Sequence, residues 1–594
     1  MDPLGPLLNV ITRHILDCEM SSETATATAT ETEQKLSPVE GHKGESKFLR
    51  GTLAEEFADA SLDHINDMNK SLIKFHGSYQ QEDRDARKNR GKGAVSGKAY
   101  MFMIRLKLPG GKLTPDQYLK MDELCQSYGN STLRITTRQS FQFHGVMKQN
   151  MKSLLQGINK TLLTTLGGCG DVNRNVLACP APIPDALHQQ QMEDCQKVAA
   201  ALTPKAAKQA YHEIWMDGEK LTNPEDDEEP LYGPTYLPRK FKIAFAMPDD
   251  NCTDILANCL GYLAITENGK PIGYNLYAGG GQGQSNAMAT TYPLLAQPIG
   301  FIHLDEVVDA AEAMVKLFRD HGNRADRKRA RLKYVMHDWG VEKFREVFYG
   351  EYFSHPQRPL KDAPITGLDL HLGWHGMGDG KWFLGVSVEN GRIKDEGTMR
   401  LRSGLRAIVE RFKVDVRLTT QQDILLCGFS TADRGAVDSM LNEYGIPREE
   451  TLPMVQKWSM ACPAIPTCGL AITESERSLP SVVRQLEKVL TDLGLGGEPI
   501  SVRMTGCPNG CARPYQSEIG LVGRGGTKYT VYIGGDSFGR RLNTEIQDSV
   551  PIDQIAPRLA KVFTAFKAER TGNELFGSYC ERIGLDRVKE LFSA

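Results

Sequence analysis

Two short loops in the last quarter of the chain have residue types and spacing suited to metal chemistry. The first reads Met460-Ala-Cys462-Pro-Ala-Ile-Pro-Thr-Cys468. The second reads Thr505-Gly-Cys507-Pro-Asn-Gly-Cys511-Ala-Arg-Pro514. Prolines stiffen both loops, and glycines loosen the second. Thiols placed only for packing need no such loops. Four convergent thiolates make a soft, strongly anionic site suited to zinc or to an iron–sulfur cluster. Structural zinc sites favour tight pairs with about two to four residues between ligands. Here five residues separate the first pair and three the second. The first pair is wide for a zinc knuckle, so the spacing favours a [4Fe–4S] cluster.

A second group of residues requires an anion. Tyr100-Met-Phe-Met-Ile-Arg-Leu-Lys-Leu alternates as a strand that stops at Pro109-Gly110-Gly111. Arg105 lies within it on an apolar background, where a guanidinium is costly unless it meets a carboxylate or another anion. In Tyr236-Leu-Pro-Arg-Lys240-Phe-Lys242-Ile-Ala-Phe, the two lysines are two apart and share one side of a strand. Taken alone they read as protection of a sheet edge. Leu166-Gly-Gly-Cys-Gly-Asp-Val-Asn-Arg174 is a glycine turn that opens backbone amides, with Arg174 at its end and no Gly-Lys-Ser/Thr after it. One small dianion held among Arg105, Arg174, Lys240 and Lys242 accounts for all four cations.

The chain also repeats itself. Leu133-Arg-Ile-Thr-Thr-Arg-Gln-Ser-Phe-Gln-Phe-His-Gly145 aligns without a gap on Val416-Arg-Leu-Thr-Thr-Gln-Gln-Asp-Ile-Leu-Leu-Cys-Gly428. Each follows a strand closing on a glycine turn, 102–111 and 383–391. The pattern predicts a duplication: two α+β halves related by pseudo-twofold symmetry, with a ligand site between them. The halves differ in chemistry. Arg134, Thr136, Arg138 and Gln142 are expected on one face of a single strand, with His144 beyond them. Two arginines on one face repel unless they clamp an anion, and the guanidinium fork suits carboxylates. The second copy has Gln421, Leu425 and Cys427 in place of Arg138, Gln142 and His144, so the first half is expected to hold the ligand.

The Cys-x5-Cys and Thr-Gly-Cys-Pro-Asn-Gly-Cys loops resemble those of the sulfite and nitrite reductases, and the resemblance runs from about Lys47 to the C-terminus. It implies a sirohaem coupled to a [4Fe–4S] cluster. Cys511 would bridge the two, with Cys462, Cys468 and Cys507 as cluster-only ligands. Arg134, Thr136, Arg138, Gln142, His144 and Asn509 would contact the sirohaem, joined by Arg331 and Arg324, with Arg327, from the basic run 323–331. Arg105, Arg174, Lys240 and Lys242 would hold the substrate. Lys242 favours sulfite, since nitrite reductases usually have asparagine there; a nitrite reductase of the same fold is the alternative. The wording of 170–178 and 507–515 resembles the ferredoxin-dependent branch, and the haemoprotein subunit of an NADPH-dependent flavoprotein complex is the other donor arrangement.

The expected organisation follows. Residues 1–45 are a disordered N-terminal segment. Residues 46–180 form a first ferredoxin-like half repeat with an arm near Lys74–Arg84 that crosses to the other half. Residues 181–360 form an anion-binding α+β domain, 361–450 a second ferredoxin-like half, and 451–594 a second α+β domain with the cluster cysteines. Helices are expected at 49–70, 185–230 and 550–593, with a solvated acidic loop at 225–229. Gly279-Gly280-Gly281 lacks dinucleotide spacing and suits close approach to a flat macrocycle. A net charge of −3 provides no basic field for nucleic acid. No long apolar run predicts a membrane span. Thirteen cysteines, an odd number, fit reduced thiols in the cytoplasm better than a disulfide scaffold.

Overall fold

The first half's sheet runs, in spatial order, Ser78–Glu82, Tyr100–Arg105, Phe141–Val146, Leu133–Ile135 and Arg392–Ile393. The second half's runs Gly373–Gly376, Lys381–Val386, Ile424–Ser430, Asp415–Leu418 and Lys112–Leu113. The two orders correspond strand for strand. Each half lends its short strand to the other's sheet: Arg392 pairs with Arg134, and Lys112 with Arg417. Helices Pro115–Tyr128 and Met151–Asn159 in the first half match Leu401–Phe412 and Arg434–Glu443 in the second. Both halves fill one core, in which Phe102, Ile104, Leu133 and Phe141 join Leu384, Val386, Val416 and Leu426. The duplication expected from the sequence is therefore an intertwined pair with a common interior. This computed structural model describes residues 35–89, 98–206, 215–216, 219–220, 229–286 and 288–594.

Each half is followed by a second sheet with its own core. One orders Gln297–His303, Lys270–Ala278, Leu260–Glu267 and Ile243–Ala246. The other orders Ser459–Ala461, Val502–Thr505, Ile519–Gly525, Lys528–Ile533 and Thr544–Pro551. Ile243–Ala246 runs parallel to Leu260–Glu267, and Val502–Thr505 parallel to Ile519–Gly525. Amphipathic helices cover these sheets: Val307–His321 buries Ala310, Met314, Leu317 and Phe318, and Ile552–Glu569 buries Ile555, Leu559, Val562 and Phe566.

Several local expectations change. Residues 133–145 are not one strand. Leu133–Ile135 turns back through Thr136–Ser140, with Gln139 at φ 48°, into Phe141–Val146. Arg134 and Gln142 still share a face, because they are paired across the hairpin. The helix expected at 49–70 is two, Leu53–Ala58 and Asp67–Leu72, the second capped by the Asn66 side chain. Within the segment expected to be disordered, Pro38–Gly44 is helical. Its Lys43 donates to Glu40 and to the Leu237 carbonyl; residues 1–34 lie outside the described residues. Of the acidic run, 225–228 lie outside them too, and Glu229 is buried, accepting from the Lys205 and Ala206 amides rather than facing solvent. The arm does cross. Arg84 donates to the Ala471 and Cys468 carbonyls, and Asp85 pairs with Arg477 at 2.6 Å. Among the described residues no helix is long and apolar enough to cross a membrane.

Candidate active site

Strand geometry brings the cysteine loops together. Ser459–Ala461 and Val502–Thr505 are parallel neighbours, so the loops leaving their carboxyl ends emerge side by side, where open sheets bind ligands. Cys462 follows the first strand directly, and its amide donates to the Met504 carbonyl at 3.2 Å. The Gly506 amide points at the Cys462 sulfur, 3.4 Å away. A Cβ at Gly506 would meet the Thr473 carbonyl at 2.5 Å, so only glycine fits there. Gly510, at φ 62°, makes the turn that returns Cys511 toward Cys507. Burial first, and then the neighbouring Cys511, push the Cys507 thiol up to about 12; the same causes raise Cys462 and Cys468. Thiols held together against their own charge are stabilised as thiolates when a metal compensates it. Four sulfurs on two neighbouring loops, with five and three residues between the members of each pair, suit a polynuclear cluster.

Cations line the side toward Cys511. Burial and then Arg331 and Arg239 bring Lys240 down to about 7, with Cys511 pulling the other way. Burial and then Arg138 and Lys240 hold Lys242 well below the ordinary lysine value. Arg174 donates to the Gly170 carbonyl at 2.7 Å, and Arg105 to the Cys169 sulfur at 3.1 Å. With the Gln142 amide turned over, its oxygen accepts from Arg105 Nε at 3.0 Å. Arg138, at the tip of the hairpin turn, donates Nη1 to Asn258 Oδ1 and Nη2 to the Asn175 carbonyl, and leaves only Nε without a partner. The adjacent Thr137 hydroxyl donates to the Cys511 carbonyl at 3.1 Å. Cations this close together and this buried are stable only with an anion among them.

Residues 169–357 match the nitrite and sulphite reductase 4Fe-4S domain, and residues 96–161 and 375–444 match the nitrite/sulfite reductase ferredoxin-like half domain. The chain is 41% identical to the ferredoxin sulfite reductase of Synechococcus elongatus, over 94% of this chain and 91% of that one. It is also 41% identical to the NADPH sulfite reductase haemoprotein beta-component of Shewanella oneidensis, over 95% and 99%. The chain belongs to the nitrite and sulphite reductase family. The solved structure of the Mycobacterium tuberculosis NirA protein shares the fold, with a TM-score of 0.74 over 93% of this chain and 97% of that one, at 22% identity.

The residues present fit the two cofactors of this family, a [4Fe–4S] cluster and a sirohaem. The fit to a polycarboxylate rests on Arg331, which is buried with Nε and Nη2 unpartnered. A Cβ on Gly281 would stand 2.5 Å from that Nη2, so the glycine run keeps the guanidinium face open. Orphaned guanidinium donors of this kind suit carboxylates. The glycine loop also docks on the cluster loop, with the Gln284 amide donating to the Pro508 carbonyl. Asn509 places its amide 3.5 Å from the Cys507 sulfur.

Two expected carboxylate binders are already committed. Arg134 is buried and gives Nε to Glu476 at 2.7 Å and Nη2 to the Ala461 carbonyl at 2.7 Å, so it positions the loop that starts at Cys462. Arg324 pairs with Glu40 and donates to the Tyr236 carbonyl, holding down the helix Pro38–Gly44. Arg327 is likewise paired, with Asp171 at 2.7 Å. Thr136 accepts from the Arg138 amide, and His144 contacts Gln142 at 3.2 Å. Burial holds the His144 imidazole well below its usual value, so it is neutral at pH 7.

Other contributors escaped the sequence reading. Lys333 donates to the Gly283 carbonyl at 2.7 Å, and burial with Arg331 lowers it to about 6. Its only signal is its place two residues after Arg331. Asp254 accepts from Arg513 at 2.5 Å and Arg503 at 2.9 Å, tying the second cluster loop to the first half. No local pattern marks that contact.

Proposed function

We propose that this chain catalyses the six-electron reduction of sulfite to sulfide, with Cys462, Cys468, Cys507 and Cys511 as the residues that would hold a [4Fe–4S] cluster and Cys511 as the one that would couple it to a sirohaem. The carrying observation is the convergence of Lys240, Lys242, Arg174 and Arg138 beside Cys511, cations that no carboxylate among the described residues neutralises together. Lys242 supports sulfite over nitrite. Relatives named for sulfite reduction, at 41% identity, support the same substrate.

A bound sirohaem and cluster would supply the electrons for the reduction. The protein's own groups do the rest. Arg105, Arg174, Lys240 and Lys242 neutralise the anion and hold its oxygens. Lys240, poised near neutral pH, can give a proton to a departing oxygen and take another from water. Arg331 and Arg138 anchor carboxylates, and the Arg134–Glu476 pair fixes the cluster loop.

The electrons come from a separate protein, for which we propose ferredoxin, in the cytoplasm. The alternative donor is a flavoprotein subunit fed by NADPH, which the Shewanella relative's name favours. The test is an absorption spectrum of anaerobically purified protein with iron and labile sulfide counted. Sirohaem bands with about five iron and four sulfide per chain are expected. Turnover with a chemical reductant should then be faster on sulfite than on nitrite. A colourless chain would overturn the reading, and faster nitrite turnover would move it to nitrite reduction. Turnover with reduced ferredoxin alone separates the two donors.

A further inference from the structure

A second group of metal-ligating side chains lies outside this site. Cys179, Asp250, Cys252 and His371 are all buried, and one ligand atom from each lies within 4.8 Å of the other three. The Cys179 sulfur is 3.4 Å from His371 Nε2, which is 3.2 Å from Asp250 Oδ2. Ligands around a tetrahedral zinc with bonds of about 2.0–2.3 Å sit roughly 3.3–3.8 Å apart. Two thiols, an imidazole and a carboxylate form a donor set zinc accepts.

The surroundings orient these ligands. Asp250 Oδ1 accepts from the Cys252 and Asp369 amides, each at 3.0 Å, which leaves Oδ2 for the centre. Asp369 stands behind His371, accepting from its amide at 2.7 Å with the other oxygen 3.6 Å from Nδ1. A carboxylate behind the second ring nitrogen is the usual support of a metal-bound histidine. The Cys179 amide donates to Gln191 at 3.1 Å.

The position of the group explains why thiols are there. Ala178-Cys179-Pro180-Ala181 repeats as Ala461-Cys462-Pro463-Ala464, at the spacing that relates the two hairpins. Leu177 is bridged in parallel to Ala244, as Met460 is paired with Arg503. The loop from Ala246 to Leu260 has the length of the loop from Thr505 to Ile519, which puts Cys252 in the place of Cys511 and Asp250 in the place of Asn509. The hairpin contact repeats as well: the Thr420 hydroxyl donates to the Cys252 carbonyl as that of Thr137 does to the Cys511 carbonyl. Cys179 and Cys252 are thus the pseudo-twofold counterparts of two cluster ligands. The positions of Cys468 and Cys507 have no cysteine counterpart, and Asp250 and His371 complete the set instead.

We propose that Cys179, Asp250, Cys252 and His371 bind one zinc ion, a structural site at the pseudo-twofold image of the iron–sulfur cluster. Both thiols lose their protons on binding. The ion locks the 179–184 and 247–259 loops to the segment that enters the second half at His371.

The test measures zinc in the holoenzyme purified without chelator, before and after incubation with zinc and desalting, together with zinc-edge X-ray absorption. About one retained zinc per chain is expected, with two sulfurs near 2.3 Å and two nitrogen or oxygen ligands near 2.0–2.1 Å. Cys252→Ser should lose that zinc while keeping the sirohaem absorption and labile sulfide, and Cys511→Ser should keep it. If Cys252→Ser does not fold, Asp250→Asn, which keeps the shape of the side chain, should show at least a tenfold weaker hold on zinc against a chelator. Zinc absent from the wild type after incubation, zinc retained in Cys252→Ser, or a shell of four sulfurs (zinc in the cluster site) would each overturn the proposal.

Discussion

Lys240 is brought down to about 7 by burial and by Arg331 and Arg239 beside it. An anion placed among these groups relieves that repulsion and raises the lysine again, so binding takes up a proton at any pH between the two values. Affinity for sulfite should therefore be greatest below about 7 and weaken by up to tenfold per pH unit above it. Lys240→Arg, charged throughout, should flatten this part of the profile when dissociation is followed by the haem spectrum. A profile as steep in the variant would assign the slope to sulfite itself. Lys242 makes a different prediction. Replacing one donor to developing negative charge costs about 10²–10³ in turnover. Lys242→Asn should lose that much on sulfite, keep its haem spectrum and lose less on nitrite. Unchanged sulfite turnover would remove Lys242 from the site. At this scale the sequence is informative where chemistry is local. The four cysteines and the two lysines stand out by type and spacing. The carboxylates that Arg134 and Arg324 meet, Glu476 and Glu40, lie 342 and 284 residues away in sequence and leave no local signal.

The junction between the first hairpin and the first cluster loop is one carboxylate held by two arginines. Glu476 takes Arg134 at 2.7 Å and Arg392 at 2.7 Å, and Asn390 donates to its carbonyl at 3.0 Å. Burial alone would raise the carboxyl, but Arg392 and Arg134 hold it down at about 2. A depressed carboxylate contributes stability that is complete above its unfolded value near 4.5 and lost as pH falls toward 2. The shift corresponds to about 3 kcal/mol, an upper value because burial also lowers Arg134. Glu476→Gln should lower the denaturation midpoint of the cofactor-free protein at pH 7, and the gap from wild type should shrink between pH 4.5 and 2. A gap independent of pH would mean that packing, not charge, matters there. This junction was invisible in the sequence because the hairpin was read as a single strand. Its turn, Thr136–Ser140, has no glycine, proline or asparagine, and Gln139 carries the positive φ. The gapless match of the two copies was legible, since side-chain types at equivalent positions survive a duplication even where the turn is unsignalled.

Across the whole molecule, the exchange of short strands makes the two ferredoxin-like halves one folding unit. Arg392–Ile393 completes the first half's sheet and Lys112–Leu113 the second's, while Leu133 and Phe141 share a core with Val416 and Leu426. The repeat in the sequence announced two halves but not their exchange, because strands of two residues carry no periodicity. Neither half can bury its apolar face alone, so opening one exposes the other. Segments that open together exchange their amide hydrogens with a common free energy. Hydrogen exchange of the intact enzyme should therefore show Tyr100–Arg105 and Phe141–Val146 protected to the same extent as Lys381–Val386 and Ile424–Ser430. Weakening the shared core with Leu426→Ala, a change costing about 2–5 kcal/mol at a buried leucine, should lower protection in all four strands together. It should leave Val502–Thr505 and Ile519–Gly525, which belong to a separate core, much less affected. Loss of protection confined to the second half would show that the halves open independently, and that the exchanged strands are attachments rather than parts of a common fold.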